Sequence, residues 1–226
     1  KIYNSGVHVA QHIVLVTRTD PDAHGHKGMS MFLVDTDAPG ITIQRLDGMG
    51  RRTVGASHSF FEDVRVPARN LIGTMNEGWH DLMDCLNLER LCLAAMGVGN
   101  IERFIDYSRD YALQRVQFGR PIAKFQAIAH KFADMEVMWQ TARNQVLAVA
   151  EMIDAGLDPV TETAVAKLYA TESCWRAADL AMQIMGGAGF ILDYTMQRMF
   201  RDARVGTIGG GTSEIQRNVI AKQMGL

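Results

Sequence analysis

An α+β fold with segregated halves is predicted by two observations. Residues 1 to about 73 hold short β-branched runs separated by Gly/Pro/Asp turns. From about residue 77 the apolar period becomes helical and the chain turns rich in Ala, Leu and Met. A partial antiparallel β domain over 1–73, followed by an antiparallel four-helix bundle over 74–226, is the expected arrangement.

The β half divides into "HIVLVTR", "SMFLVDT", "GITIQRL", "HSFFEDVRV" and "NLIG", each read as a strand or strand end. Helices are expected at roughly 77–116, 122–155, 159–185, 192–203 and 212–224. Their stops carry ordinary punctuation: "FGRPI" before Pro121, "AGLDP" after the second helix and "GGAGF" after the third. The opening "KIYNSG" begins close to a strand without a preceding cap. The chain is therefore expected to be the C-terminal portion of a longer protein.

Composition narrows the function classes. Hydrophobic residues make up 47% of the 226, and the net charge is −2, which gives no basic surplus for nucleic acid. No apolar run approaches membrane-spanning length, so no membrane insertion is expected. Cys85, Cys92 and Cys174 lie in helical patterns without a CxxC pair and read as small buried thiols in a reducing compartment. His24 and His26 share a glycine-containing turn, but no third metal ligand accompanies them.

Four stretches hold candidate chemistry. In "MDCLNLERLCLAAMGVG", Glu89 shares a helix face with Leu82, Cys85, Leu86, Cys92, Leu93 and Met96. A carboxylate on that stripe would be desolvated and its pKa raised, which suits a general base. A buried ion pair with Arg143 or Arg201 explains the same pattern, and the residues alone favour it. In "YALQRVQFGRPIAKFQ", Arg115, Gln117 and Phe118 could hold a phosphate and a flat heterocycle. Alternatively Arg115 serves the helix's terminal carbonyls and Phe118 fills the core, and composition favours that.

"QIMGGAGF" contains G-x-G but follows a helix, so it is a glycine stop and not a dinucleotide fingerprint. "VGTIGGGTSEIQRNVIA" holds three consecutive glycines before a helix that Thr212 or Ser213 caps, with Ser213 and Gln216 fitting a capping box. A capped helix start after glycines is suited to anions, but it is also simply a turn.

Taken together, "TRTDP…GMSMFLVDTDAPG", "FFEDVRVPARNLIG", "LNLERLCLAAMGVG", "YALQRVQFGRPIAKFQ", "QIMGGAGF", "RMFRDARV" and "GTSEIQRNVIAKQ" resemble the acyl-CoA dehydrogenase family of flavoenzymes. They occur in the family's order and cover essentially the whole chain. The resemblance implies an N-terminal helical domain absent here, FAD as cofactor, and oxidation of an acyl-CoA thioester to the 2,3-enoyl-CoA. It also implies a carboxylate that removes the α-proton, β-hydride transfer to flavin N5, and an electron-transfer flavoprotein as the usual acceptor.

Carried to this chain, the resemblance places Tyr3 and Ser5 beside the flavin ring. It assigns Arg115, Gln117, Phe118, Gln183 and Gly187 to the FAD of a neighbouring subunit, and Thr212 and Glu214 to the subunit's own FAD. Arg90 and Gly211 are placed at the substrate. Sites completed across an interface imply a homodimer or homotetramer. The setting expected is cytoplasmic, or the mitochondrial matrix in a eukaryote.

Many members carry the base as a glutamate immediately before G-T-S, and here that position is Gly210. A branch similar to isovaleryl-CoA and long-chain dehydrogenases carries it on the first long helix, at the position of Glu89. The vacancy at Gly210 turns the balance to Glu89 as base. An acyl-CoA oxidase or flavin monooxygenase homologue, and a dehydrogenase-like structural subunit, share the same fold. The chain by itself is expected to bind FAD poorly and to be inactive.

Overall fold

The structure is a computed structural model that describes residues 1–226, the side chain of Asp84 excepted. The chain packs as two compact units, Lys1–Leu86 and Asn87–Leu226.

The first unit holds two three-stranded antiparallel sheets. One has the order β1 (Asn4–Ser5), β5 (Ala56–Phe61), β4 (Ile41–Leu46). The other has β2 (His12–Arg18), β3 (Met29–Asp35), β6 (Leu71–Ile72). β2 and β3 pair along their full length, from His12 opposite Asp35 to Arg18 opposite Met29. The polar loop between them closes on Arg18, whose guanidinium donates to the carbonyls of Ala23 (2.7 Å), Gly25 (2.6 Å) and Lys27 (3.0 Å). The expected strand over "HSFFEDVRV" stops at Phe61, because Asp63 turns the chain with φ of 50°.

The second unit is helical. α1 (Gly78–Gln114) starts in the first unit and continues into the second. A two-residue hairpin follows, β7 (Val116–Gln117) and β8 (Arg120–Pro121), with positive φ at both central residues, Phe118 and Gly119. Then come α2 (Gln126–Asp154), α3 (Val160–Met185), a single turn α4 (Gly187–Phe190), α5 (Met196–Ala203) and α6 (Ser213–Gln223). The core is one cluster that includes Ile101, Phe104, Met135, Met138, Val149, Ile184 and Met196.

α3 lies at the centre of that cluster because its sequence is small on every side. Ala166, Ala170, Ala177, Ala178 and Ala181 are all fully buried, which lets α2, α5, α6 and the turn before α6 approach closely. Gly97 of α1 lies against the Ala170 carbonyl, where a Cβ would sit only 3.1 Å from the oxygen. Hydroxyls buried here bond back to their own helices, Ser108 to Phe104 O (2.6 Å) and Thr171 to Lys167 O (2.8 Å).

The packing boundary at 86/87 falls inside α1, whereas the change of sequence pattern lies at 73/74. The first turn of α1 is buried against β3: a Cβ on Gly78 would lie 2.8 Å from the Met31 nitrogen and 2.9 Å from Ser30 backbone atoms. Gly78→Ala therefore has to push the helix start off the sheet. Chemical denaturation of this chain should show a loss of about 1–3 kcal/mol, despite alanine's better helix propensity.

Candidate functional site

Glycines 209–211 join a 3-10 turn (Arg204–Thr207) to α6, and two of them hold backbone angles that other residues rarely take. Gly210 has φ of 62° and Gly211 has φ of 85°. A Cβ on Gly210 would lie 2.2 Å from Cδ1 of Leu93, so the loop rests directly on α1. A Cβ on Gly211 would lie 2.7 Å from the Gln216 amide nitrogen.

Leu93 is four residues beyond Glu89 and shares its face. Side chains on a helix lean toward its N-terminus, so Leu93 leans toward Glu89. The Gly210 vacancy and the Glu89 carboxylate are thus neighbours along one face of α1. Glu89 itself is exposed in this chain, and so are Cys85, Cys92 and Met96 beside it. The expected burial by that stripe is not found: the glycine loop covers Leu93, and among the described residues Cys85, Glu89, Cys92 and Met96 stay exposed. The alternative ion pair is not formed either: among the described residues Glu89 meets no cation. Arg143 stands over Trp139, and Arg201 donates to Gln197.

Arg90 turns inward. Its Nη1 donates to Asn87 (2.8 Å), while its buried Nε has no partner among the described residues. Beneath the loop lies a residue that the sequence argument passed over, Lys167 of α3. It is 0% exposed, and its ammonium donates to Gly211 O (2.6 Å) and Gly206 O (3.0 Å). Burial pulls its pKa below the usual lysine range, Arg90 adds to this, and Glu172 and Glu214 oppose it. A signal was present in "ETAVAKLYATESC": the positions three and four away are Thr163, Ala164, Ala170 and Thr171, all small, so the lysine sits on a face built for close packing.

Gln216 completes the clamp. Its Nε2 lies 3.2 Å from both Gly210 O and Gly211 O, so it does not form the expected capping box with Ser213. Thr212 is the N-cap, accepting from the Ile215 amide (3.3 Å), which places Gln216 one residue too far along to reach back. Hydrogen bonds from its own amide and the Thr212 hydroxyl hold the Glu214 carboxyl below the usual range. A cleft of about 410 Å³ opens beside this helix start, lined by Thr212, Ser213, Glu214, Arg176, Arg204 and Trp175 among others. The buried Ser213 hydroxyl has no partner among the described residues.

The remaining candidates lie elsewhere. Arg115, Gln117 and Phe118 are exposed on the hairpin, so Phe118 does not fill the core: it is 92% exposed. It meets Phe125 edge-on and holds a left-handed φ of 51°, a costly state for an aromatic residue. Gln183 and Gly187 are exposed where α3 ends. These two groups share one end of the bundle, where Tyr111 packs on Tyr194 and the Tyr107 hydroxyl accepts from the Thr195 amide. The 25 helical steps of α1 from Glu89 to Gln114 put about 37 Å between that end and Glu89. Tyr3 and Ser5 belong to the first unit, with Tyr3 73% exposed at a φ of 63°. Among the described residues no group of three or more His, Cys, Asp or Glu could hold a metal, and His26 lies instead beside Trp79.

A small β unit running into a helical bundle, with a glycine loop clamped against its first and third helices, defines the class of fold. Comparison with known proteins assigns the family. Residues 76–225 match the acyl-CoA dehydrogenase C-terminal domain and residues 1–64 match the acyl-CoA dehydrogenase middle domain. The chain belongs to the acyl-CoA dehydrogenase family.

It is 40% identical over 225 residues to the probable acyl-CoA dehydrogenase YngJ of Bacillus subtilis, an alignment covering 99% of this chain and 59% of that one. It is 39% identical to a mitochondrial isovaleryl-CoA dehydrogenase of Oryza sativa, over 95% of this chain and 53% of that protein. The crystal structure of an acyl-CoA dehydrogenase from Geobacillus kaustophilus superposes with a TM-score of 0.96 at 36% identity, over 100% of this chain and 60% of that one. The chain thus spans about three fifths of the length of such relatives.

The cysteines differ from expectation. Only Cys174 is buried, and burial pushes its thiol up to about 12, whereas Cys85 and Cys92 are exposed on α1. A raised folded pKa stabilises fully below the ordinary value of 9.0, and that contribution is lost as pH climbs from there toward 12. Titration of this chain with a disulfide reagent at pH 8 should modify Cys85 and Cys92 quickly. Cys174 should react only after denaturation.

Proposed function

We propose that this chain is the C-terminal portion of an FAD-dependent acyl-CoA dehydrogenase, with residues 1–73 ending the central β domain and 74–226 forming the helical domain. The observation that supports it most is the junction of Glu89 and the glycine loop. The family position without a side chain, Gly210, lies against Leu93 of α1, one turn from the Glu89 carboxylate. Glu89, exposed and without a cation partner among the described residues, is the base that takes the α-proton of an acyl-CoA thioester.

The residues present fit FAD. The capped start of α6, with Arg176 and Arg204 across the cleft, suits a phosphate group and accords with Thr212 and Glu214 as contacts. Tyr3 and Phe118 offer exposed rings on left-handed backbone, and Arg115 and Gln117 offer exposed donors. When bound, FAD supplies the acceptor for the β-hydrogen as hydride. Ser5, Gln183 and Gly187 complete the proposed cofactor contacts, and Arg90 and Gly211 flank the substrate.

The hairpin lies about 37 Å along α1 from Glu89, which accords with its serving a different cofactor from the one beside Glu89. By the family resemblance, Arg115, Gln117, Phe118, Gln183 and Gly187 are proposed to serve the FAD of a second subunit, in a homodimer or homotetramer. An electron-transfer flavoprotein is the proposed acceptor. A cytoplasmic setting accords with three free cysteines and no disulfide.

In the full-length flavoprotein, Glu89→Gln should retain FAD and lower the anaerobic rate of flavin bleaching by acyl-CoA by about 10²–10⁴-fold. Bleaching by that variant at the wild-type rate would remove Glu89 from the mechanism.

A further inference from the structure

We propose that Lys167 is the positioning residue of the glycine loop, its buried ammonium setting the loop backbone that faces Glu89. The inference rests on the dehydrogenase function proposed above. Lys167 is the one cation among the fully buried side chains, and its bonds go to main-chain oxygens of the turn and loop, Gly206 O and Gly211 O. Together with Gln216 it turns the carbonyls of Gly206, Gly210 and Gly211 toward α3 and α6.

A trans peptide carries its N–H opposite its carbonyl. Drawing the Gly210 and Gly211 carbonyls inward therefore points the amides of Gly211 and Thr212 the other way. Among the described residues neither amide has an acceptor. Two adjacent main-chain donors are thereby left for a ligand, on a loop that touches Leu93, one turn from the proposed base.

Glycines at 209–211 supply little stiffness of their own, since each has access to many backbone states. The rigidity has to come from what grips their carbonyls. A lysine suits this because its ammonium offers three donors on one atom and bonds two carbonyls five residues apart. A methionine of similar size would fill the same space and release both. Catalysis is sensitive to such loosening, since a shift of about 1 Å can cost about 10²-fold in rate.

The test uses the full-length flavoprotein with Lys167→Met, and Lys167→Gln as a second variant that keeps a neutral donor. Ser108→Ala, a buried hydroxyl loss away from the loop, serves as the control for general destabilisation. FAD content, thermal midpoint, acyl-CoA affinity, anaerobic bleaching and α-deuteron exchange of the substrate are measured for each. The expected result for Lys167→Met is retained FAD and affinity within about threefold, with bleaching and α-exchange both slowed by about 10²-fold. The control should lose stability without that slowing.

Bleaching within threefold of wild type in either folded Lys167 variant would overturn the proposal. So would loss of fold or FAD in both variants, because Lys167 would then serve the fold and not the loop. A wild-type flavin that no acyl-CoA bleaches would sink the dehydrogenase function and this inference with it. The wild-type arm tells that outcome apart from the others.

Discussion

An ammonium group withdrawn from water must find oxygens, and in this protein that requirement organises the site. Lys167 rises from the N-terminal third of α3, where its neighbours are alanines and threonines, and among the described residues no carboxylate forms a hydrogen bond with it. Its acceptors are main-chain carbonyls of the turn and loop that precede α6. The contact needs close approach, and the chain provides it with small groups: a Cβ on Gly206 would lie only 3.3 Å from the Thr171 side chain. The cost of burying a charge is offset by two hydrogen bonds to main-chain carbonyls and by the fields of Glu172 and Glu214.

The same economy of side-chain volume explains why α3 is the central helix. It presents alanine toward several neighbours at once, so α2, α5 and α6 pack directly against its backbone, and Gly97 brings α1 against Ala170. The glycine loop is then caught between two rigid bodies, α1 at Leu93 and α3 at Lys167. Its own residues contribute conformational freedom, and the helices contribute position. Leu93 occupies the space beside Gly210, which is why only a glycine fits there.

Much of the architecture could be read from local pattern. Five helices and the strands β2 to β6 follow from periodicity and from glycine and proline punctuation, because those signals act over a few residues, whereas the β7–β8 hairpin stands where only a helix break was expected. The site was less legible. Glu89 looked buried because the stripe around it is apolar, yet an apolar face says nothing about what covers it. The same error applied to Cys85 and Cys92 on that helix. Phe118 looked like a core residue by type, but a two-residue hairpin turn projects it outward. Ser213 and Gln216 matched a capping box in spacing, and a shift of one residue in the helix start gave Gln216 a different task.

By itself the sequence determined the α+β class, the family motifs, the empty side-chain position at Gly210 and the candidate carboxylate at Glu89. Each of these depends on residue identity and short-range spacing. Only the tertiary structure decided that Leu93 occupies the space beside Gly210, that Lys167 and Gln216 hold the loop, and that the hairpin lies about 37 Å along α1 from Glu89. Lys167 and Gly211 are separated by 44 positions in the chain, and no local period links them. They meet because a buried charge and an unpaired carbonyl each require a partner, and the packing of small residues on α3 brings the two within reach.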